Sequence, residues 1–203
     1  MAAIDTPSNA RSRRTREALL AAMREILETE GFSGLTMSAI AARAGVTRRS
    51  AYLHFSSRAQ AVDQLFAYVA DAEGLQQSVA RVWSAPDSVA ALRAWAEHYA
   101  DYHLRVLPVD RAVARVERRD SDAAAHRTRV RGAKLTNCRR LAEWLAEEGR
   151  LASTWSVGTA AEVLSALTNS DFAESLVLDG GWSPSALAES FAELLVRTFV
   201  STD

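Results

Sequence analysis

Apolar residues recur at three- and four-residue spacing along nearly the whole chain, the period of helices with one buried face. Leu19, Met23, Ile26 and Leu27 form such a stripe, and it predicts a first helix from about residue 12 to 30, closed by Gly31. Thr36 has the character of an N-cap, with Leu35 before it and Ile40 after it as a hydrophobic staple, and opens a short helix over 37–44. Gly45 ends that helix. Thr47 caps a second short helix over 48–54. Ser57 and Gln60 form a capping box for a fourth helix, whose stripe Val62, Leu65, Phe66, Val69 extends it to about residue 83. Further helices are expected over 88–106, from Pro108 in a first turn to about 120, over 122–148 before Gly149, over 156–178, and from Pro184 to the C-terminal region. The total is about nine helices with no strand and no internal repeat. The fold class is all-α. Residues 1–10 read as a disordered leader, 11–57 as a helix-turn-helix domain and 58–203 as a second helical domain.

Composition agrees. The 203 residues include 39 alanines against nine Gly and four Pro, which favours helix. One cysteine, Cys138, excludes an internal disulfide and a thiolate zinc cluster. No apolar run is long enough to span a bilayer, and the first ten residues lack the basic start and apolar stretch of a signal peptide, so a cytoplasmic protein with no membrane partner is expected. The formal net charge of −1 conceals an asymmetry. Residues 1–62 hold nine arginines and five acids, a balance of +4, and the remainder balances at −5. A basic head on an acidic body is suited to a polyanionic partner.

The chemistry of that head lies in one stretch of 20 residues. Two short helices joined by Ala44-Gly45-Val46-Thr47 make a helix-turn-helix, with Gly45 where the chain reverses. The second begins Thr47-Arg48-Arg49-Ser50, with nothing apolar in its exposed first turn. Arg48 and Arg49 have the bidentate donors that match guanine O6 and N7 in a major groove. Thr36 and Thr47, with the free N–H groups behind them, suit phosphate oxygens, and Tyr52, His54 and Arg58 are further candidates. Arg11, Arg13, Arg14 and Arg16 suit a minor groove or the backbone.

Gly31-Phe32, Leu35-Thr36, Ile40-Ala41, Ala44-Gly45-Val46-Thr47, Tyr52-Leu53-His54-Phe55 and Ser57-Arg58 resemble the TetR family of bacterial transcription regulators. The resemblance covers roughly residues 14–66. It implies that the helix from Thr47 to Phe55 is the recognition helix, and that Tyr52 and His54 are backbone contacts or structural. Family members usually carry Lys where Arg58 stands. The resemblance also implies a homodimer through the last two helices on a palindromic operator, and release by a small-molecule ligand bound in the helical body. There Trp95, Tyr99 and Tyr102 fall on one helical face, a stripe that reads either as core or as the wall of a pocket; in the pocket reading they are, with Trp144, Phe172 and His98, the candidate ligand contacts. His103 and Asn169 are further polar candidates.

His98 and His103 are five apart, on different faces of an α-helix, so no shared metal is expected. No cofactor motif, metal motif or nucleophile motif is present, and the chain is not expected to be an enzyme. Cys138 beside Arg139 and Arg140 reads as an ordinary helix cysteine or as a redox sensor. The leading reading is a sequence-specific DNA-binding regulator, a repressor released by ligand. The alternatives are a helical small-molecule-binding or interaction protein that no longer reads DNA, and an all-helical enzyme working in the aromatic pocket.

Overall fold

The computed structural model describes residues 10–201, so the leader assigned to 1–10 lies outside the described residues except for Ala10, which begins the first helix. Among the described residues there are eleven α-helices and no strand; the single antiparallel bridge joins Leu151 and Val200. In chain order the helices are α1 (Ala10–Thr29), α2 (Met37–Arg43), α3 (Arg48–His54), α4 (Arg58–Ala72), α5 (Leu75–Trp83), α6 (Ser88–His98), α7 (Leu104–Ala114), α8 (Ser121–Glu147), α9 (Val157–Leu167), α10 (Ser170–Glu174) and α11 (Pro184–Phe199). The expected all-α class and the N-terminal helix-turn-helix hold.

Two breaks raise the count from about nine to eleven, and one helix start is displaced. The fourth helix stops at Ala72, because Gly74 adopts φ 72 and the chain restarts as α5. The helix expected over 156–178 breaks after Leu167. Thr168 turns its hydroxyl back onto the carbonyls of Leu164 and Ser165, and Asn169 takes an extended conformation ahead of α10. Pro108 does not open a helix but lies inside α7. The chain runs on from α6 into α7 through a π-helical turn over Tyr99–His103. A second π turn, Ser175–Asp179, follows α10.

The chain forms two compact units. One comprises residues up to Ala72 together with Pro108–Arg127, and the other comprises Glu73–Leu107 and Thr128–Asp203. In the first, Leu19, Met23, Ile26 and Leu27 of α1 pack with Phe32, Leu35, Ile40, Ala51, Phe55 and Leu65, all nearly or fully buried. In the second, α11 packs on α6. Its inner face (Leu187, Phe191, Leu195, Phe199) closes over Leu92, Trp95, Ala96 and Tyr99, with Leu141 and Leu145 of α8 completing the core. Ser183 caps α11 by accepting from Ala186 N, with Pro184 at the first helical position, as the sequence predicts.

Candidate functional site

Each segment of the helix-turn-helix is set by short-range chemistry. The Thr36 hydroxyl accepts from Ala39 N at 3.1 Å, and the Thr47 hydroxyl accepts from Ser50 N at 3.1 Å. Between the helices Gly45 takes φ 66. Val46 N donates to Ala41 O across it at 3.0 Å, the six-to-one bond of a Schellman turn. No atom lies near a Cβ built at Gly45, so an alanine there meets conformational strain rather than a clash. Ala41 and Ala51 are buried where α2 and α3 meet.

This frame leaves the outer face of α3 polar. Thr36, Thr47, Arg48 and Arg49 are exposed. Arg48 rests over the Tyr52 ring, with its guanidinium carbon 5.6 Å from the centroid, and Tyr52 is itself 39% exposed. No hydrogen bond or ion pair engages Arg49 among the described residues. Arg11, Arg13 and Arg14, at the start of α1, are exposed as well.

Three candidates turn inward instead. His54 is 5% exposed; burial, and secondarily the Arg16 charge, lower its pKa. Arg16 lies over the Phe55 ring and donates to Gln64 Oε1 at 2.6 Å, so it is held in the frame rather than projecting beside the other N-terminal arginines. Arg58 is engaged on every side. Its Nε donates to Leu35 O at 2.6 Å, one terminal nitrogen donates to Asp122 Oδ2 at 2.6 Å, and the other to Asp120 Oδ2 at 2.9 Å. Its plane lies over Phe32. The acids sit more than sixty residues away along the chain, so nothing in the local sequence pointed to them. In the Ser57–Gln60 pair, Ser57 Oγ caps Gln60 N, and Gln60 Oε1 accepts from Ser56 N.

Burial works against the Arg58 charge, but the two carboxylates outweigh it and raise its pKa. Burial likewise opposes the Asp120 charge, and Arg58 with the α8 N–H groups overcomes this and lowers its pKa. The stabilisation is therefore present above the ordinary carboxylate range and is lost as pH falls through the lowered Asp120 value. Asp120 also caps α8 by accepting from Ala123 N. Asp120→Asn retains a good cap and removes only the charge. We expect about 1 kcal/mol of destabilisation at pH 7, fading in acid, read from urea melts of the two proteins.

All six candidate ligand residues lie in the second unit, and five of them make aromatic ring contacts there. Trp95 and Tyr99 are buried, Tyr102 and Phe172 are half-buried, and His98 is 3% exposed. His98 stacks on Tyr102 at 5.4 Å between centroids and lies 5.1 Å from Trp95; Tyr99 lies 6.5 Å from Phe172. Phe191 of α11, outside the candidate set, is 4.9 Å from Tyr99. Trp144 is the exception. It makes no ring contact with this group among the described residues, and its indole N–H donates to Glu148 Oε1 at 2.7 Å.

The expectation that His98 and His103 face apart is overturned. A π turn bonds residues five apart, so it brings the two rings to one face, 5.8 Å between centroids. Among the described residues no group of three or more His, Cys, Asp or Glu is placed to hold a metal. Cys138 is fully buried, and burial pushes its thiol up to about 12, which leaves no thiolate for redox chemistry near neutral pH.

Polar groups in the cluster are few. Tyr99 Oη donates to Asn169 O at 2.5 Å, and His98 Nδ1 pairs with Ser78 Oγ at 2.8 Å. Trp95 Nε1 is buried with no hydrogen-bond partner. Burial above all, then Arg81, holds His98 down at about 4 from an ordinary 6.5. Unfolded His98 thus takes up a proton that the folded protein refuses. Stability is complete above pH 6.5 and falls as pH drops toward 4, by on the order of 3 kcal/mol in total. Denaturant melts between pH 7 and 4.5 read this directly. A His98→Asn protein with the same pH slope would place its origin elsewhere.

The comparisons agree with the site. Residues 19–65 match the family model described as bacterial regulatory proteins, tetR family. No curated protein matches the chain. Among solved structures, NalD, the secondary repressor of the MexAB-OprM multidrug efflux pump in Pseudomonas aeruginosa, is 23% identical with a TM-score of 0.71, over 96% of this chain and 100% of its own. FadR, a fatty acid degradation regulator from Bacillus halodurans, is 15% identical at TM-score 0.69, over 94% and 96%. A protein described as a transcriptional regulator from Saccharomonospora viridis, crystallised with choline, is 14% identical at TM-score 0.72, over 93% and 99%.

Proposed function

We propose that this chain, a DNA-binding transcriptional regulator with a TetR-family helix-turn-helix, is a cytoplasmic homodimeric repressor released from a palindromic operator by a small molecule. The observation that carries the DNA reading is the outer face of α3. Two exposed arginines project from a capped helix whose other side is locked into a core. A side chain committed to fold stability would not be left in water this way. We assign base contact to Arg48 and Arg49, and phosphate contact to Thr36, Thr47 and Tyr52. His54 and Arg58, engaged inside the frame, hold the reading head in shape instead. In this division residues 11–57 carry the base-reading helix, and the second unit binds ligand and dimerises.

A seven-residue helix reads few base pairs, so useful specificity needs two half-sites about one turn apart. Leu178, Trp182 and Leu194, in and around the last helices, are large apolar side chains left 52%, 38% and 41% exposed. They support an interface through α9–α11.

The aromatic cluster supports the ligand reading. The cluster contains rings, a neutral histidine and an unpaired indole N–H, with no charged group among the candidate contacts. It suits an apolar body with an uncharged hydrogen-bond acceptor directed at Trp95 Nε1. Such a ligand acts only through its differential affinity for the free and DNA-bound conformations. Selection from a random duplex pool tests the reading. An inverted repeat with half-sites about one turn apart is expected, and a random collection of fragments would contradict it.

A further inference from the structure

We propose that the turn joining α7 to α8 is a second phosphate-binding surface, through which Arg115, Arg118 and Arg119 grip the DNA backbone beside the helix-turn-helix. The inference rests on the DNA-binding reading above and extends it to residues outside the family-matched segment 19–65.

The local charge is uneven in a specific way. Between residues 110 and 122 the acids are Asp110, Glu117, Asp120 and Asp122. Asp110 and Glu117 bind Arg127, and Asp120 and Asp122 bind Arg58. All four are neutralised by guanidinium groups that are themselves half-buried. Arg115, Arg118 and Arg119 are left exposed, and among the described residues none of them has an ion pair. The three charges are therefore uncompensated on this turn.

The turn is also fixed in place. Val116 N and Glu117 N donate to Val113 O, and Arg119 N and Asp120 N donate to Val116 O, all within 2.8–3.1 Å. Its position follows from Arg58. One guanidinium bonds both Leu35 O and the Asp120 carboxylate. Leu35 precedes Thr36, the cap of α2, and Arg119 precedes Asp120. The arginine turn and the proposed phosphate contact at Thr36 are thus separated by little more than one guanidinium and its two hydrogen bonds. A long, flexible arginine in that place reaches the same backbone a step outside the helix-turn-helix footprint.

Phosphate binding is read by salt dependence rather than by sequence. The test follows fluorescence anisotropy of a labelled random-sequence duplex of about three helical turns, between about 50 and about 200 mM salt. The proteins are wild type, the single variants Arg118→Gln and Arg119→Gln, and the double variants R118Q/R119Q and R118K/R119K. Removing one arginine–phosphate pair flattens the slope of log K against log salt by about 0.9, so in a homodimer, which loses two pairs from each protomer, the double glutamine variant flattens it by about 3.6 and the lysine variant keeps the wild-type slope. The change is the same on a selected duplex as on random sequence. A double glutamine variant that melts like wild type and keeps its slope overturns the second surface while leaving the regulator intact. A wild-type protein that binds no duplex even at the lowest salt overturns the DNA-binding reading and this inference with it.

Discussion

Replacing Arg48 and Arg49 together by alanine lowers affinity for a selected operator by about 2–6 kcal/mol per half-site, at least about thirty-fold for each half-site, with no change in melting temperature. The two halves of that expectation have separate causes. Both side chains are exposed, and neither supports the core formed by Ala51, Phe55 and the α1 stripe, so truncating them leaves the fold alone. A guanidinium bidentate to a guanine contributes about 1–3 kcal/mol of discrimination, and each protomer supplies the pair. Arg49, without a hydrogen bond or ion pair among the described residues, is the freer to reach a base edge. Arg48 must first leave the Tyr52 ring, a contact worth little at an exposed site. The affinities of selected and random duplexes should therefore converge in the double variant. Equal losses on both would make these arginines phosphate contacts.

Trp95→Ala should destabilise the second unit by about 3–5 kcal/mol. Trp95 is 2% exposed and sits against His98 within the main core, so its removal opens a cavity and also forfeits the transfer free energy of the indole. Trp95→Phe behaves differently. It keeps most of the ring and deletes the indole N–H, which is buried without a partner. That N–H carries a desolvation penalty with nothing set against it, so the phenylalanine variant should lose far less stability than alanine does, while losing affinity for a ligand that bonds there. Thermal melts of both proteins, with and without added indole, read this. Indole should restore part of the alanine variant's loss, as an apolar cavity binds a matching ring. A Trp95→Ala protein that melts within a degree or so of wild type would show that the cluster is loosely packed.

The helix-turn-helix was legible because its signals are local. Thr36, Gly45 and Thr47 each act within five residues, and the apolar stripe of α1 needs only the helical period. The ends of the longer elements were not legible. The apolar stripe runs from Val69 toward Val82 without interruption, so only the conformation of Gly74 reveals that α4 and α5 are separate. A period of three and four cannot report a turn of five, which is why the approach of His98 to His103 was hidden. Pro108 carries the same residue-level signal at a helix start and inside a helix. The sequence offers Arg58 as a phosphate contact because its partners, Asp120 and Asp122, are distant along the chain. Trp95, Tyr99 and Tyr102 are legible as a stripe on one face, but Phe191 and Ser78 reach the cluster from other helices.

Methylation interference on a selected duplex tests the central claim most directly. Methyl groups at guanine N7 occupy the edge that an arginine pair would read. The expected result is loss of binding when guanines in two half-sites about one helical turn apart are methylated, with that pattern absent in the Arg48→Ala, Arg49→Ala double variant. Binding that tolerates N7 methylation throughout the duplex would contradict the account.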